Sequence, residues 1–569
     1  MADGPAGMRL VKDVTGYPSG INAASTFSKR LMRARGVAMG EEWRAKGSHI
    51  YLGPAMDIVS DEIRARVIEV DEVAVIDEEP KDGFGPDPYL TGEASYETIV
   101  GVQSVGVQAC AKHLVANNQE HWRYGLSADL DDRTLREIYW WPFMRSIEAG
   151  VSSVMCAYNR FNQTSSCQNA DLLGPNGILI KDGFQGFVMS DWGATHDNAE
   201  VNALGGLDME QPGDWIVIGG GVYGNGLKNA VNNKKVPESR LNEMVTRILA
   251  SWFRLGQDQD YPPISFNVQK PDGTGPENIP LSVRSDAHTS LAREIAAAST
   301  VLLKNDRVTD NGQPTGTTTR GLPLSKSNVK SIAVIGRDAK QLKQDCSGGL
   351  NGCNEGTMVI GSNALLLSTE TPLLSSIPLD LFLLDGTTTP TSRLSSTPVL
   401  PGEQTGPSLV DVLWGAVNPS GRLPFSIADS EEAYGTSIVT GVDGFPTIKY
   451  TEGLFIDYRY MDSKGIVPRY EFGYGLSYTK FEYSALSVSS SGTSQAIKFT
   501  VKNTGTFDGT EIPQLYLEFP SGAGEPPKVL RGFDEVKLAK GASKEVTLTL
   551  SQRDFRYAFR TFWVVTDLM

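Results

Sequence analysis

The chain has 569 residues, of which 40% are hydrophobic, with a formal net charge of −15 and a sequence pI near 5.0. This length exceeds what one core holds and predicts about three domains, and no apolar run reaches the roughly 20 residues that span a bilayer. The acidic balance excludes nucleic acid as a partner, and together with the missing span it favours a soluble enzyme that does not bind membranes.

Residues 1–256 alternate short apolar runs with helical stretches, which is the pattern of a parallel α/β domain. Polar residues follow three of the apolar runs: Lys112 with His113, then Tyr158, then Asp191. Because the carboxyl ends of barrel strands meet at one mouth, we expect these side chains to share it. A closing helix near residue 250 repeats apolar positions at i, i+3 and i+4.

The rest of the chain divides by composition into four segments. These are a Pro/Gly-rich linker at 257–283, a second α/β segment at 284–428, a connector at 429–482 and a β-rich tail at 483–569. Within the second segment, residues 361–401 are rich in Ser, Thr and Leu and predict a low-complexity or disordered insert. The tail alternates apolar and polar residues with period two, which predicts a small antiparallel sandwich.

Asp191 ends the apolar run 186–190 and invites two interpretations. A carboxylate at the carboxyl end of a barrel strand is placed where barrel enzymes keep their chemistry, which favours a catalytic nucleophile. The ordinary alternative is an Asp that caps the helix after a core strand. The residues around it, taken alone, leave both interpretations open.

Five cysteines stand at positions 110, 156, 167, 346 and 353. Two pairs, Cys156 with Cys167 and Cys346 with Cys353, are close in sequence and fit disulfide-closed loops of a secreted protein, whereas five reduced thiols in a cytosolic enzyme are the alternative. Asn162 begins a glycosylation sequon, which agrees with secretion. The first residues carry no signal peptide, so we expect an N-terminal segment to be missing.

Motifs spread over the whole chain resemble the fungal β-glucosidases of glycoside hydrolase family 3. The matching stretches are residues 3–7 (Asp-Gly-Pro-Ala-Gly), 112–113 with 119–121, 153–159 (Ser-Val-Met-Cys-Ala-Tyr-Asn), 186–192 (Gly-Phe-Val-Met-Ser-Asp-Trp), 206–209 with 212–213, 472–478 (Phe-Gly-Tyr-Gly-Leu-Ser-Tyr) and 524–532. They follow one another in the order that the family has.

The resemblance implies a multidomain α/β protein: a TIM-type (β/α) barrel, incomplete here, an abbreviated α/β sandwich and a C-terminal fibronectin-III-like β-sandwich. It also implies retaining hydrolysis of terminal non-reducing β-D-glucosyl residues, as in cellobiose and short cello-oligosaccharides, for cellulose breakdown. In that reaction one carboxylate attacks the anomeric carbon, and a second carboxyl group about 5–5.5 Å away protonates the leaving oxygen. No cofactor or metal is expected.

The family motifs also imply roles for individual residues. Asp191 matches the nucleophile. Asp3, Lys112 and His113 match polar contacts to the glucose hydroxyls, and Arg9 matches an arginine that is also near the sugar. Tyr158 matches the tyrosine beside the nucleophile, and Met155 and Trp192 match apolar walls of the pocket. The physics agrees, since a Lys beside a carboxylate brackets vicinal hydroxyls with charge-assisted hydrogen bonds. Each residue alone also has an ordinary explanation, such as core packing for Met155 and Trp192.

Three departures from the family pattern affect the expected activity. Asp3 lies almost at the start, so the first barrel strand is expected to be absent and the sheet edge unpaired. The family's Arg-x-Trp-Glu-x-Phe motif is replaced by residues 79–84, Glu-Pro-Lys-Asp-Gly-Phe. The Ser-Gly-Glu-Gly motif that carries the acid/base glutamate is missing, and we assign no residue to that role.

These departures coincide with changes of composition, so we hypothesise that residues 55–82 and 357–400 arise from frame-shifted or unspliced coding sequence. Two functional hypotheses follow. One is a working retaining β-glucosidase, and the other is a catalytically impaired, sugar-binding relative that lacks the acid. A β-xylosidase or N-acetylglucosaminidase of the same family fits the motifs less well.

Overall fold

The computed structural model describes residues 1–58, 83–119, 121–213, 222–268, 270, 274–307, 322–324, 331–334, 379–384, 390–397, 401–437, 439 and 445–555. The chain forms two compact units: the first comprises residues 1–14, 32–284 and 435–454, and the second comprises residues 15–31, 285–434 and 455–569.

A six-stranded parallel sheet organises the first unit. Its strands, labelled in chain order, are β1 (Ala2–Asp3), β2 (Ile50–Leu52), β3 (Gln108–Leu114), β4 (Ser153–Cys156), β5 (Phe187–Trp192) and β6 (Met209–Gln211). Each strand pairs with the next one along the chain, and every pairing is parallel. Because β1 and β6 do not pair with each other in the described parts, the sheet is an open half-barrel, as the sequence predicts.

Helices alternate with these strands, as a parallel sheet requires. The α-helices of four or more residues in the described parts of the chain are Gly20–Ser25, Lys29–Ala45, Pro88–Ser104, Trp141–Glu148, Ala170–Leu173, Ile178–Lys181, Ala199–Gly205, Asn225–Asn232, Glu238–Arg254, Asp286–Ala298, Thr405–Leu413 and Tyr458–Lys464. Helix Pro88–Ser104 shows why one of them starts where it does. The Asp87 carboxylate accepts a hydrogen bond from the Leu90 amide at 2.8 Å, and Pro88 suits the first helical turn.

The core of the half-barrel lies on the inner face of the sheet. Its buried residues are Ile50, Cys110, Met155, Phe187 and Met189, with Ile248 of helix Glu238–Arg254 packed against them. That helix is the closing helix of the sequence analysis. Its buried side chains within the described structure are Met244 and Ser251, whereas Val245, Leu249 and Phe253 are 48%, 44% and 56% exposed.

A second, smaller sheet of the first unit joins strands from distant parts of the sequence. Its strands, in spatial order, are Thr447–Lys449, Ser127–Asp129, Arg160–Phe161 and Thr164–Ser165. The strand Thr447–Lys449 runs parallel to Ser127–Asp129. The segment 435–454 therefore folds with the half-barrel as part of the first unit.

The second unit contains a four-stranded antiparallel sheet next to helices. Its strands, in spatial order, are Val301–Arg307, Pro390–Thr397, Leu379–Leu384 and Ser331–Val334. Two of these strands fall inside residues 361–401, so the prediction of a low-complexity insert is wrong for them. Ser, Thr, Leu and Phe fit a pleated sheet whenever a partner strand is present, even without a regular alternation. The rest of the stretch 361–401, apart from Pro401, lies outside the described residues.

The C-terminal part of the second unit is a β-sandwich, as the alternation predicts. Its strands are Phe481–Ser491, Ser494–Asn503, Gly509–Glu511, Gln514–Leu517, Val529–Phe533, Val536–Leu538 and Ser543–Leu550. All described pairings among them are antiparallel. The inward residues of the period-two pattern, among them Ile497, Val501, Val546 and Leu550, form one buried cluster.

Candidate active site

Three strands of the half-barrel bring predicted polar residues to one edge. Lys112 and His113 stand near the carboxyl end of β3, Asp191 and Trp192 end β5, and Asp3 ends β1. The burial of β5 falls away at its last two residues, because Phe187 to Ser190 are buried whereas Trp192 is 44% exposed. Strand β5 therefore leaves the core at its end, where it places the Asp191 carboxylate and the Trp192 indole at the edge of the sheet.

An ion-paired cluster surrounds Asp3. The Lys112 ammonium donates a hydrogen bond to Asp3 Oδ1 at 2.9 Å, and Arg9 Nη1 lies 3.6 Å from Asp3 Oδ2. Burial opposes ionisation of this carboxyl, but the charges of Lys112 and Arg9 outweigh it, so the pKa of Asp3 lies below its usual value. Asp3 is therefore a carboxylate, able to accept hydrogen bonds from sugar hydroxyls.

His113 lies between two carboxylates. Its Nδ1 is 2.8 Å from Asp57 Oδ2, and its Nε2 is 3.5 Å from Asp191 Oδ2. The same Asp57 oxygen accepts a hydrogen bond from the His113 backbone amide at 3.1 Å. The side chains of His113 and Asp57 are 5% and 4% exposed, whereas that of Asp191 is 15% exposed. Asp191 is thus the most exposed side chain of the three.

The contacts of Asp191 show whether it caps the next helix. Its Oδ1 accepts a hydrogen bond from the amide of Trp192 at 2.6 Å. The next helix begins at Ala199, and the side chain of Asn198 caps it by accepting from Val201. Asp191 is therefore not the helix cap that the ordinary interpretation requires.

An aromatic and cationic group borders Trp192. The Tyr158 hydroxyl donates to the Trp192 carbonyl at 2.9 Å, so these two pocket residues of the sequence analysis are joined. The Arg123 guanidinium stacks over the Tyr158 ring at 4.1 Å, and Tyr124 contacts the same ring edge-on. Sequence reasoning missed Arg123 and Tyr124, although they closely follow the matching stretch 119–121.

Met155 is buried next to the strand that carries Asp191. It is 4% exposed, pairs with Met189 and belongs to the core cluster of the half-barrel. Its role as a pocket wall stays a prediction, and the structure shows it packing among Ile50, Cys110, Phe187 and Met189.

The two predicted disulfides have different outcomes. Cys156 and Cys167 form a disulfide, as predicted, and it closes the loop that carries Tyr158. The second predicted bond, between Cys346 and Cys353, does not appear in the described structure, because Cys346 and Cys353 both lie outside the described residues. The pairing of Cys353 with Cys346 therefore stays a prediction.

The remaining cysteine and the glycosylation sequon lie in well-described parts of the chain. Cys110 is a buried free thiol, and burial raises its pKa to about 12. The Asn162 side chain is hydrogen-bonded to both backbone groups of Leu130, and its glycosylation stays a prediction.

Glu403 is a glutamate of the second unit that does not belong to the family's acid/base motif. It accepts a hydrogen bond from the Gly16 amide of the same unit at 3.0 Å. The described residues contain no group of three or more His, Cys, Asp or Glu side chains suited to hold a metal ion. No helix in the described portion is both long and apolar enough to cross a membrane.

Three family models match the chain. They are the glycosyl hydrolase family 3 N-terminal domain over residues 2–251, the glycosyl hydrolase family 3 C-terminal domain over residues 397–478 and the fibronectin type III-like domain over residues 511–567. A probable β-glucosidase L of Aspergillus terreus is 36% identical over 685 residues, which cover 100% of this chain and 87% of the relative.

Solved structures agree with these matches. A glycoside hydrolase family 3 β-glucosidase from Neurospora crassa has a TM-score of 0.82 and 30% identity, covering 100% of this chain and 89% of that one. β-Glucosidase 3B from Thermotoga neapolitana in complex with glucose has a TM-score of 0.77 and 26% identity, covering 98% and 87%. The family models and the relatives together identify the chain as a glycoside hydrolase. The chain belongs to glycoside hydrolase family 3.

Proposed function

We propose that this chain is a retaining β-glucosidase in which Asp191 attacks the anomeric carbon of a terminal non-reducing β-D-glucosyl residue. The observation that carries the proposal is the Asp191 carboxylate, which stands at the carboxyl end of β5 next to His113. A carboxylate there can form the covalent glycosyl-enzyme that a retaining mechanism requires. Cellobiose and short cello-oligosaccharides are the proposed substrates.

The neighbouring residues suit the glucose unit. Asp3 and Lys112 form a charged pair of a hydrogen-bond acceptor and a donor, which matches adjacent hydroxyl groups of a pyranose. The exposed indole of Trp192 offers an aromatic face to the apolar side of a sugar ring. A neutral hexose is thus bound by its hydroxyl pattern, without any cofactor.

The second candidate is a sugar-binding relative with impaired catalysis. The absence of the Ser-Gly-Glu-Gly motif from the sequence favours it. The two candidates differ in the substrates they turn over, because an aryl glucoside with a good leaving group needs little acid assistance whereas cellobiose needs a proton.

Secretion is part of the proposal. The disulfide Cys156–Cys167 fits an oxidising compartment, and the Asn162 sequon fits a glycoprotein that passes through the secretory pathway. In that location the enzyme contributes to extracellular cellulose degradation. Digestion of the natively produced protein with an N-glycan-removing enzyme checks this part, and an unchanged mass argues against it.

The test combines kinetics with trapping. The protein is incubated with a 2-deoxy-2-fluoro-β-glucosyl donor that bears an activated leaving group, and the labelled peptide is identified by mass spectrometry. We expect one adduct, on Asp191, and turnover of both cellobiose and an aryl β-glucoside. Asp191→Asn should lose at least about 1,000-fold in kcat, since the covalent intermediate cannot form.

Asp534→Asn is the matched control. Asp534 also accepts a hydrogen bond from the next backbone amide, at 2.8 Å, but it stands in the β-sandwich. It should keep full activity. Labelling without cellobiose turnover supports the impaired relative, and a label on another residue contradicts the assignment of Asp191.

A further inference from the structure

Asp57 is a buried carboxylate that contacts the histidine next to the proposed nucleophile. Asp57 is 6% exposed and contacts His113, whose other ring nitrogen faces Asp191. Its Oδ1 is buried and has no hydrogen-bond partner among the described residues, so its described hydrogen bonds all run through Oδ2 to His113. A buried carboxylate directed at one histidine in this way acts through that histidine.

The hydrogen bonds to Asp57 indicate which ring nitrogen of His113 carries a hydrogen. An ionised carboxylate oxygen only accepts hydrogen bonds, so the Nδ1 atom that lies 2.8 Å from Asp57 Oδ2 carries the hydrogen. The second bond, from the His113 amide to the same oxygen, ties the ring orientation to the backbone of β3. The ring therefore cannot flip without losing the Nδ1 contact.

The backbone holds Asp57 in place. The Met56 amide donates to the Lys112 carbonyl at 2.7 Å, and the Lys112 amide donates to the Pro54 carbonyl at 3.1 Å. Residues just before Asp57 thus run along the edge of β3 next to His113. The first residues of segment 55–82, whose composition departs from the family pattern, are therefore ordered and support the site.

We propose that Asp57 is a positioning residue: it keeps a hydrogen of His113 on Nδ1 and fixes the ring beside Asp191, with Nε2 3.5 Å from Oδ2. The Trp192 amide donates to Asp191 Oδ1, and the fixed ring limits the space on the Oδ2 side, so a displaced ring lets the nucleophile change rotamer. The inference rests on the proposed role of Asp191 as nucleophile. Among the described residues, further charged groups near this edge include Arg123, which lies over the Tyr158 ring, and Asp3, which pairs with Lys112 and Arg9.

The experiment measures directly whether Nδ1 of the His113 ring is protonated. The intact protein contains five histidines, so selective ¹⁵N labelling gives few signals, and His113→Gln assigns the one of interest. In the wild type we expect His113 Nδ1 to be protonated without any substrate present. In Asp57→Ala that signal should move to the unprotonated Nδ1 position, because Nδ1 then lacks the Asp57 acceptor while Nε2 faces the Asp191 carboxylate.

Kinetics give the second arm. Asp57→Ala should lower kcat by about 100-fold with little change in KM, since misorientation of a reacting group acts on the transition state. In a His113→Ala background the same substitution should add no further loss, because Asp57 acts only through the ring. A full additional loss in that background overturns the proposal.

Asp208→Ala is the matched control for plain destabilisation. Asp208 is a buried carboxylate that accepts a hydrogen bond from the β5 amide of Val188 and pairs with Arg240. The control substitution should lower Tm and leave the His113 signal unchanged. If Asp57→Ala leaves Nδ1 protonated, the inference fails, whatever the trapping of Asp191 shows. If glucosides are not hydrolysed at all, the spectroscopic arm still decides on the ring.

Discussion

Replacing Asp3 by Asn tests the charged cluster at the end of β1. Lys112 donates to Asp3 at 2.9 Å, and the side chains of Lys112 and Asp3 are 10% and 30% exposed. The substitution removes the negative charge and leaves the buried ammonium beside a neutral amide. The neighbouring Arg9 loses its ion pair with Asp3 as well.

The burial of Lys112 and Asp3 sets the expected loss of stability. A buried charged group that loses its hydrogen-bonded partner costs about 1–3 kcal/mol, and the partial exposure of Asp3 lets water recover some of it, so we expect about 2 kcal/mol. At about 2–4 °C per kcal/mol, the first unit should melt roughly 4–8 °C lower at pH 7.

The pH dependence has a definite sign. Because the pKa of Asp3 is lowered in the folded protein, its stabilisation is complete above the usual carboxyl range and is lost as the pH falls through the lowered value. The gap between wild type and Asp3→Asn should therefore shrink from pH 7 to pH 3 in calorimetric scans. The double variant Asp3→Asn/Lys112→Met, which has neither charge, should regain part of the loss. A gap that is equal at both pH values refutes the reasoning.

Two further predictions concern the loop after β4. Tyr158→Phe removes the hydrogen bond to the Trp192 carbonyl and should lower kcat/KM by the equivalent of about 1 kcal/mol. The control is Tyr223→Phe, which removes a hydrogen bond of the same kind to the Leu207 carbonyl. The control should change only stability. Equal kinetic effects would speak against a role for Tyr158. Replacing Cys156 and Cys167 by Ser should lower the free energy of unfolding by about 2–3 kcal/mol, read from denaturant titration, and an unchanged midpoint would contradict it.

The sequence predicts the strands of the half-barrel well because their signal is local. Runs such as the one before Asp191 are apolar on both faces, as a buried parallel strand must be. The position of Asp191 and His113 at one edge then follows from the rule that parallel strands end together. The ion pair of Asp3 with Lys112 follows from the same rule, since β1 and β3 are close in the sheet.

Two features could not be derived from local patterns. Asp57 reaches His113 because residues 54–56 pair with Lys112 far along the chain, and the unusual composition of the segment pointed away from a role. The strands Leu379–Leu384 and Pro390–Thr397 gain their order from pairing with each other and with Val301–Arg307. Such pairings depend on tertiary contacts, which a one-dimensional pattern does not contain.

The exposed side of helix Glu238–Arg254 has a practical consequence. Val245, Leu249 and Phe253 stand on successive turns and form an apolar ridge in contact with water. We expect an exposed apolar ridge of this kind to promote association with other apolar surfaces. Protein bound in this way is lost from solution. Charged residues at these three positions would keep it in solution while leaving Met244 and the parallel sheet untouched.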